Sequence, residues 1–311
     1  MLRAALLYLS NQQQLFRFVS RNRFARGLAR RFVAGETLDE ALEAVARLNA
    51  RGITASLDLL GESVTNEEEA RSAGAEYLGI LDRINQRGLD ANVSVKLTAM
   101  GLDVSEDLCV SVMQMILERA RSCDSFVRID MEGSAYTERT LRLFEDRLYP
   151  SHKEHVGIVL QSYLYRTMAD VEQANALRAR VRICKGAYQE PAAVAYPDKK
   201  DVDANYLRCM QRLMLDGNYP GIATHDESII AGAKRFAGER GISTDRYEFQ
   251  MLYGVRRDIQ DDLVRDGYRL RVYVPFGTQW YPYLMRRLAE RPSNIAFLTG
   301  NVLREAVRRR H

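Results

Sequence analysis

The sequence has little of what holds small secreted folds together. Four cysteines stand among 311 residues, Cys109, Cys123, Cys184 and Cys209, with no C-x-x-C spacing. Three of them fall inside apolar helical or strand patterns, which excludes a disulfide scaffold and reads as reduced core thiols of an intracellular protein. Histidine is as scarce: His152, His155, His225 and His311 form no ligand cluster beyond "SHKEH", which reads as a solvated turn, so no metal is expected. No apolar run is as long as a membrane span, and no h-region marks a secretory signal. The net charge of +4 is spread along the chain and gives little case for nucleic acid.

Acidic residues are missing from the first 35 positions, where seven arginines (3, 17, 21, 23, 26, 30 and 31) alternate with Leu and Phe. That composition is shared by mitochondrial transit peptides. The helical pattern continues through "ALEAVARLNARG" without a cleavage-like break, which favours a basic amphipathic helix that belongs to the fold and suits contact with anionic lipid. Residues 1–50 are therefore expected to form an N-terminal helical arm, and 51–311 the body of a single domain.

Beyond residue 50 the pattern is regular. Apolar runs of strand length are expected at 52–60, 92–97, 125–131, 155–161, 180–185, 220–225, 247–252 and 269–275. Helical patterns follow each of them, at 66–87, 104–121, 136–149, 168–179, 201–215, 227–240, 256–266 and 279–290. Eight such pairs predict an α/β fold, a distorted (βα)8 TIM-like barrel with extra N-terminal helices. A doubly wound sheet would carry a glycine-rich phosphate turn after its first strand, whereas here that turn reads "LLGESVTNEEE", with one glycine and a cluster of acids.

A (βα)8 barrel places its chemistry at the C-terminal ends of the strands. The polar residues there are Asp58, Glu62, Lys96, Asp130, Gln161, Arg182, Lys185, Thr224, His225, Glu248, Gln250 and Tyr273. Lysine sharpens the choice. Only six of the 45 basic residues are lysine, yet Lys96 and Lys185 both end apolar strands, where a compact point charge fits a tight anion or cofactor site. The last helix, "WYPYLMRRLAE", sets Arg286 and Arg287 beside Tyr283 and Glu290, and an arginine fork there can bind a carboxylate. A solvated basic face is the bland alternative.

The strings "SVKLTAMG", "VRIDME", "VLQSYLYRT", "RICKGAY", "VAYPDK", "ATHD", "EFQMLYGVRRD" and "YVPFGTQWYPYLMRRLAE" resemble, in this order, the motifs of the proline dehydrogenase family of flavoenzymes. The resemblance runs from about residue 30 to 300 and is to the short, monofunctional bacterial type. It implies FAD bound at the strand C-termini and oxidation of L-proline to Δ1-pyrroline-5-carboxylate, the first step of proline catabolism to glutamate. It also implies a membrane quinone as acceptor and a link to pyrroline-5-carboxylate dehydrogenase; the basic arm and the basic tail "VLREAVRRRH" then suit a cytoplasmic protein peripheral on the inner membrane, ahead of the mitochondrial matrix as the alternative.

Carried over position by position, the resemblance implies that Arg286, Arg287 and Lys96 hold the substrate carboxylate. Tyr188, Leu252, Tyr273 and Tyr283 would wall the pyrrolidine ring, Asp130 would be their polar partner, and Glu62 would pair with Arg287 as a gate. Gln161, Arg182, Lys185, Gly186, Ala187, Thr224, His225 and Glu290 would contact the flavin. Two positions depart from the pattern: Gln189 stands where some relatives carry tryptophan, and Asp226 where others carry asparagine. Tyr273 resembles the proline-specific members. Without the resemblance two other classes stay open, a Schiff-base aldolase using Lys96 or Lys185 and a lipid- or nucleic-acid-binding protein using the basic arm.

Overall fold

The computed structural model describes residues 30–61 and 64–290. Eight parallel strands close into a barrel in chain order, each hydrogen-bonded to the next and the last to the first. They are β1 (Thr54–Leu59), β2 (Ala91–Val95), β3 (Val127–Ile129), β4 (Val156–Gln161), β5 (Arg180–Cys184), β6 (Gly221–Ala223), β7 (Glu248–Leu252) and β8 (Leu270–Phe276). Closure runs from the Thr54–Arg271 pair to the Leu59–Phe276 pair, which fixes β8 against β1 along its length. The expected barrel is present. β3 and β6 are shorter than expected because Asp130, Thr224 and His225 already lie past the strand ends.

The helices of the barrel wall follow the expected places. α1 (Leu38–Asn49) precedes β1, and α2 (Glu67–Gln86), α3 (Glu106–Ser122) and α4 (Ser134–Leu143) follow β1, β2 and β3. Their starts are written in the sequence. Thr37 and Glu40 form a reciprocal capping box on α1, and Asn66 and Ser105 accept from the third backbone N–H of α2 and α3. α6 (Thr167–Leu177), α7 (Lys199–Asp216), α8 (Glu227–Arg240), α9 (Arg257–Arg265) and α10 (Trp280–Glu290) complete the ring.

The helix expected over 136–149 is interrupted. α4 ends at Leu143, one π-helical turn spans Phe144–Leu148, and a short α5 (Tyr149–His152) follows. Pro150 lacks the N–H that would bond back along the helix, so the ladder widens just before it. "SHKEH" is a solvated turn only in part: residues 153–155 turn, with Lys153 and Glu154 exposed, but its first histidine is not in water. His152 is buried, with Nε2 3.9 Å from Glu118 Oε1, because α5 packs against α3 and β4. Burial lowers its pKa, against the pull of Glu118, so the ring stays neutral. Of the cysteines, Cys109 and Cys209 are buried, and burial pushes their thiols up to about 12 and about 11. Cys123 and Cys184 are only half-buried, so the expectation of core thiols holds for two.

Alternation along the strands makes two environments. Leu57, Val95, Ile129, Ile158, Val181 and Phe249 belong to the buried apolar layer between strands and helices, each contributing roughly 2 kcal/mol on burial. The other face of the strands, inside the barrel, is polar. Ser56, Ser94, Arg128, Arg182, Glu248 and Gln250 are all buried there and bonded to strands or side chains across the lumen. Gly157 makes room for this layer: a Cβ there would stand 2.6 Å from Arg128 Nη1 and 2.8 Å from Phe126 Cζ.

Candidate active site

The C-terminal rim of the barrel gathers most of the strand-end residues named from the sequence, but Glu248 is the first residue of β7 and lies at the opposite end of its strand. Lys96 directly follows β2 and Asp58 lies in β1, and Lys96 Nζ donates to Asp58 Oδ1 at 2.8 Å. Burial would lower the lysine, but the carboxylates of Asp58 and Asp130 outweigh it and hold the ammonium above the usual lysine range. Burial pushes the Asp58 carboxyl the other way, up, against the pull of Lys96. At 2.8 Å the contact is an ion pair, and the protonated amine is the form it keeps.

Deeper in the lumen Arg182 makes the central contact. Its Nη1 donates to Asp130 Oδ1 at 2.8 Å, its Nη2 to Ser94 Oγ at 3.3 Å, and its Nε to Gln250 Oε1. Asp130 Oδ2 accepts from Tyr273 OH at 2.7 Å, and the Arg182 guanidinium carbon lies 5.4 Å from the centre of the Tyr273 ring. Burial first, and then the Asp130 carboxylate, lift the Tyr273 phenol well above its ordinary range, so it stays a donor. Arg182, Asp130 and Tyr273 thus form one rigid polar floor.

Further round the rim, Lys185 Nζ lies 2.6 Å from Asp203 Oδ1 and 2.9 Å from Asp226 Oδ2. Burial works against ionisation of Asp226, but hydrogen bonds from Lys185 and Ser228 hold its carboxyl well below the carboxylate range. Asp226 also caps α8 through Ser228 N, so the departure from asparagine serves a helix start and a lysine contact together. Asp203, on α7, was not foreseen. The signal was its spacing four residues from Lys199, with which it also pairs.

Gly186 has φ +111°, and a Cβ there would stand 2.6 Å from the Tyr163 ring, so the chain after β5 can turn there only as glycine. Ala187 is half-buried beside it and Tyr188 is exposed, 37%, rather than enclosed in a pocket wall. Thr224 Oγ1 accepts from Asp226 N at 3.1 Å. His225 Nε2 accepts from Leu252 N at 2.9 Å, and since a backbone N–H only donates, the proton of the neutral ring sits on Nδ1. Gln161 Nε2 donates to Met131 O at 3.3 Å, while its Oε1, also buried, has no hydrogen-bond partner among the described residues.

On α10, Tyr283 is buried, and the Arg287 guanidinium carbon lies 5.2 Å from the centre of its ring. Trp280 Nε1 donates to Glu36 Oε1 at 3.2 Å, tying α10 to the segment before α1. Glu62, expected as a gate, and the side chains of Arg286 and Glu290 lie outside the described residues.

A family model described as Proline dehydrogenase matches residues 41–300. The chain is 42% identical to Proline dehydrogenase 1 of Bacillus subtilis subsp. natto over 305 residues, 98% of this chain and all of that one. The chain belongs to the proline dehydrogenase family. A second family member, Proline dehydrogenase of Deinococcus radiodurans, is 43% identical over 280 residues, 89% of this chain and 90% of that one. Relatives covered this fully make the protein a proline dehydrogenase-type enzyme of the monofunctional bacterial kind. Among solved structures, proline utilization A (PutA) from Bdellovibrio bacteriovorus inactivated by N-propargylglycine superposes with a TM-score of 0.81 at 28% identity. That match covers 89% of this chain but 34% of the PutA chain, so this protein spans about a third of that longer one. Among the described residues no helix is long and apolar enough to cross a membrane, and no cluster of potential ligands could hold a metal ion.

Proposed function

We propose that this enzyme oxidises L-proline to Δ1-pyrroline-5-carboxylate with FAD bound at the barrel rim and passes the electrons to a membrane quinone. The observation that carries the flavin is Gln161: a buried carboxamide oxygen without a partner suits the N–H of a flavin ring. Lys185, Gly186, Ala187, Thr224 and His225 line the adjoining rim and suit the rest of the cofactor, with Glu290 toward its adenosine end. Bound there, the flavin supplies the hydride acceptor at N5.

The protein's own residues do the rest. Arg286, Arg287 and Lys96 hold the proline carboxylate, and Leu252, Tyr273 and Tyr283 enclose the ring, while the exposed Tyr188 would have to fold over it on binding to complete the wall. The positive charges of Lys96 and Arg182 disfavour a second cation beside them, which favours the unprotonated amine that hydride loss requires. Tyr273 and Asp130 keep Arg182 in place beneath the substrate. Glu62 closes on Arg287 as a gate. A Schiff-base role for Lys96 is opposed by its Asp58 contact, which keeps the amine protonated and so non-nucleophilic.

The first 35 residues and the tail "VLREAVRRRH", rich in arginine, suit a cytoplasmic protein lying against the anionic inner membrane where its quinone resides. The product is an electrophilic imine that a pyrroline-5-carboxylate dehydrogenase would consume next. The test is the visible spectrum of the purified protein before and after anaerobic addition of L-proline. Flavin bands that bleach support the proposal, and a protein that stays colourless after incubation with FAD ends it.

A further inference from the structure

Glu248 and Gln250 occupy alternate positions of β7, inside the barrel, and have no part in the function just described. Their hydrogen bonds have a direction. Gln250 Nε2 donates to Glu248 Oε1 at 2.6 Å, and Gln250 Oε1 accepts from Arg182 Nε. A carboxylate only accepts and a guanidinium only donates. The amide can therefore stand only this way round, because turning it over would set N–H against N–H and oxygen against carboxylate.

Glu248 is the anchor of that orientation. Its carboxyl is buried, which alone would raise its pKa, but Arg271, Gln250 and Arg128 together hold it below the usual range. Arg271 Nε donates to it at 2.8 Å. Gly221 on β6 leaves room for the amide, since a Cβ there would stand 2.8 Å from Gln250 Cδ. With Nε held by Gln250 and Nη2 by Ser94, the planar guanidinium of Arg182 has one direction left for Nη1, toward Asp130.

We propose that Gln250 is a positioning residue for the oxidation, oriented by Glu248 so that it fixes the plane of Arg182 beneath Asp130 and Tyr273. The proposal rests on the placement of the proline site over that floor. Charge and amide polarity alternate from Glu248 through Gln250, Arg182 and Asp130 to the Tyr273 hydroxyl, so no member can reverse without its neighbours.

Two variants separate positioning from bulk packing. Gln250→Met keeps the volume and removes the amide. It leaves the Arg182 Nε–H buried without an acceptor, and kcat/KM should fall about 10- to 100-fold at every pH. Gln250→Glu behaves differently: protonated, its acid can donate to Glu248 and accept from Arg182 as the amide does, whereas ionised it repels Glu248. The ratio of its kcat/KM to wild type should therefore be highest at the acid end of the range and fall as pH rises, a profile that loss of packing would not produce.

A second readout needs no activity: the hydrogen-exchange rate of the Arg182 Nε–H, followed by nitrogen-15 NMR and assigned with Arg182→Lys. Slow exchange in wild type, lost in Gln250→Met, is the expected result. Exchange in wild type as fast as in surface arginines overturns the proposal, as does Gln250→Met with retained protection and kcat/KM within about twofold of wild type. If Gln250→Met does not fold, the wild-type exchange rate and the Gln250→Glu profile decide. If L-proline fails to bleach the flavin, the proposed reaction is lost while the exchange experiment still decides whether Gln250 holds Arg182.

Discussion

Lys96 and Asp58 stand at the tops of adjacent strands as an ion pair of 2.8 Å, the aspartate side chain 1% exposed and the lysine 24%. The carboxylate has given up water and has the ammonium in return. Removing one partner leaves the other charge half-stranded in the lumen, beside Asp130 and Arg182. Asp58→Ala is expected to lower stability by about 3 kcal/mol in urea unfolding and to loosen Lys96, raising KM for proline. An unchanged urea midpoint would show that the pair carries no net stability.

Glycines on the two sides of the strands should respond with opposite sign. Gly157 on β4 has Arg128 and Phe126 where a Cβ would go, whereas Gly79 in α2 has nothing within 4 Å of that position. Gly157→Ala should destabilise by about 1 to 3 kcal/mol through overpacking of the polar lumen. Gly79→Ala should stabilise by up to about 1 kcal/mol, because alanine loses less backbone freedom in a helix. Thermal unfolding of the two variants, side by side, checks both signs.

That lumen is also where the sequence ceased to be legible. The barrel itself could be read, because eight apolar runs separated by helical patterns leave few other layouts, and the strand-end positions of Lys96, Asp130, Gln161 and Lys185 followed from it. The pairing of Arg182 with Gln250, 68 residues away, could not be read. Inward positions alternate in every strand, but which of them meet across the barrel depends on stagger, and stagger leaves no local pattern. His152 was misjudged for a related reason: "SHKEH" is polar throughout, and only the packing of α5 against α3 shows that its second residue is inside. Asp203 was hidden because its partner Lys185 belongs to another element.

Glu248 makes part of the stability dependent on pH. Its folded pKa lies below the ordinary glutamate value, so the stability it contributes is complete above that value and is lost as pH falls through the lowered one. Glu248→Gln should cost about 3 kcal/mol near pH 7, because Arg271 is left buried without its carboxylate. The gap between variant and wild type should then narrow as pH falls below the ordinary glutamate range and the wild-type carboxylate takes up its proton. Urea titrations at several pH values check this, and a gap that stayed constant would place the variant's loss elsewhere than in the charge.

Tyr273, proposed as part of the substrate wall, is bonded to the polar floor through its hydroxyl. Tyr273→Phe keeps the ring over Arg182 but leaves Asp130 Oδ2 without its 2.7 Å donor. A loss of about 1 kcal/mol in stability and about tenfold in kcat/KM is expected, with the loss falling on kcat if the hydroxyl acts through Asp130 and Arg182. A pure rise in KM would instead mean that the hydroxyl serves only to fill the pocket.

The arginines of α10 face the most direct test of the substrate assignment. A guanidinium grips a carboxylate with two parallel N–H bonds, and lysine offers one point charge on a flexible stem. If Arg286 binds the proline carboxylate in both ground and transition state, Arg286→Lys removes binding that the two states share, so KM rises about tenfold or more while kcat stays near wild type. Glu62→Ala should act on the same clamp from outside. Without an acid to close on Arg287, proline should leave faster and KM should rise, with the spectrum of the bound flavin unchanged. Steady-state kinetics on both variants decide the matter, and a fall in kcat at constant KM for Arg286→Lys would move that arginine from the carboxylate to the reacting end of the substrate.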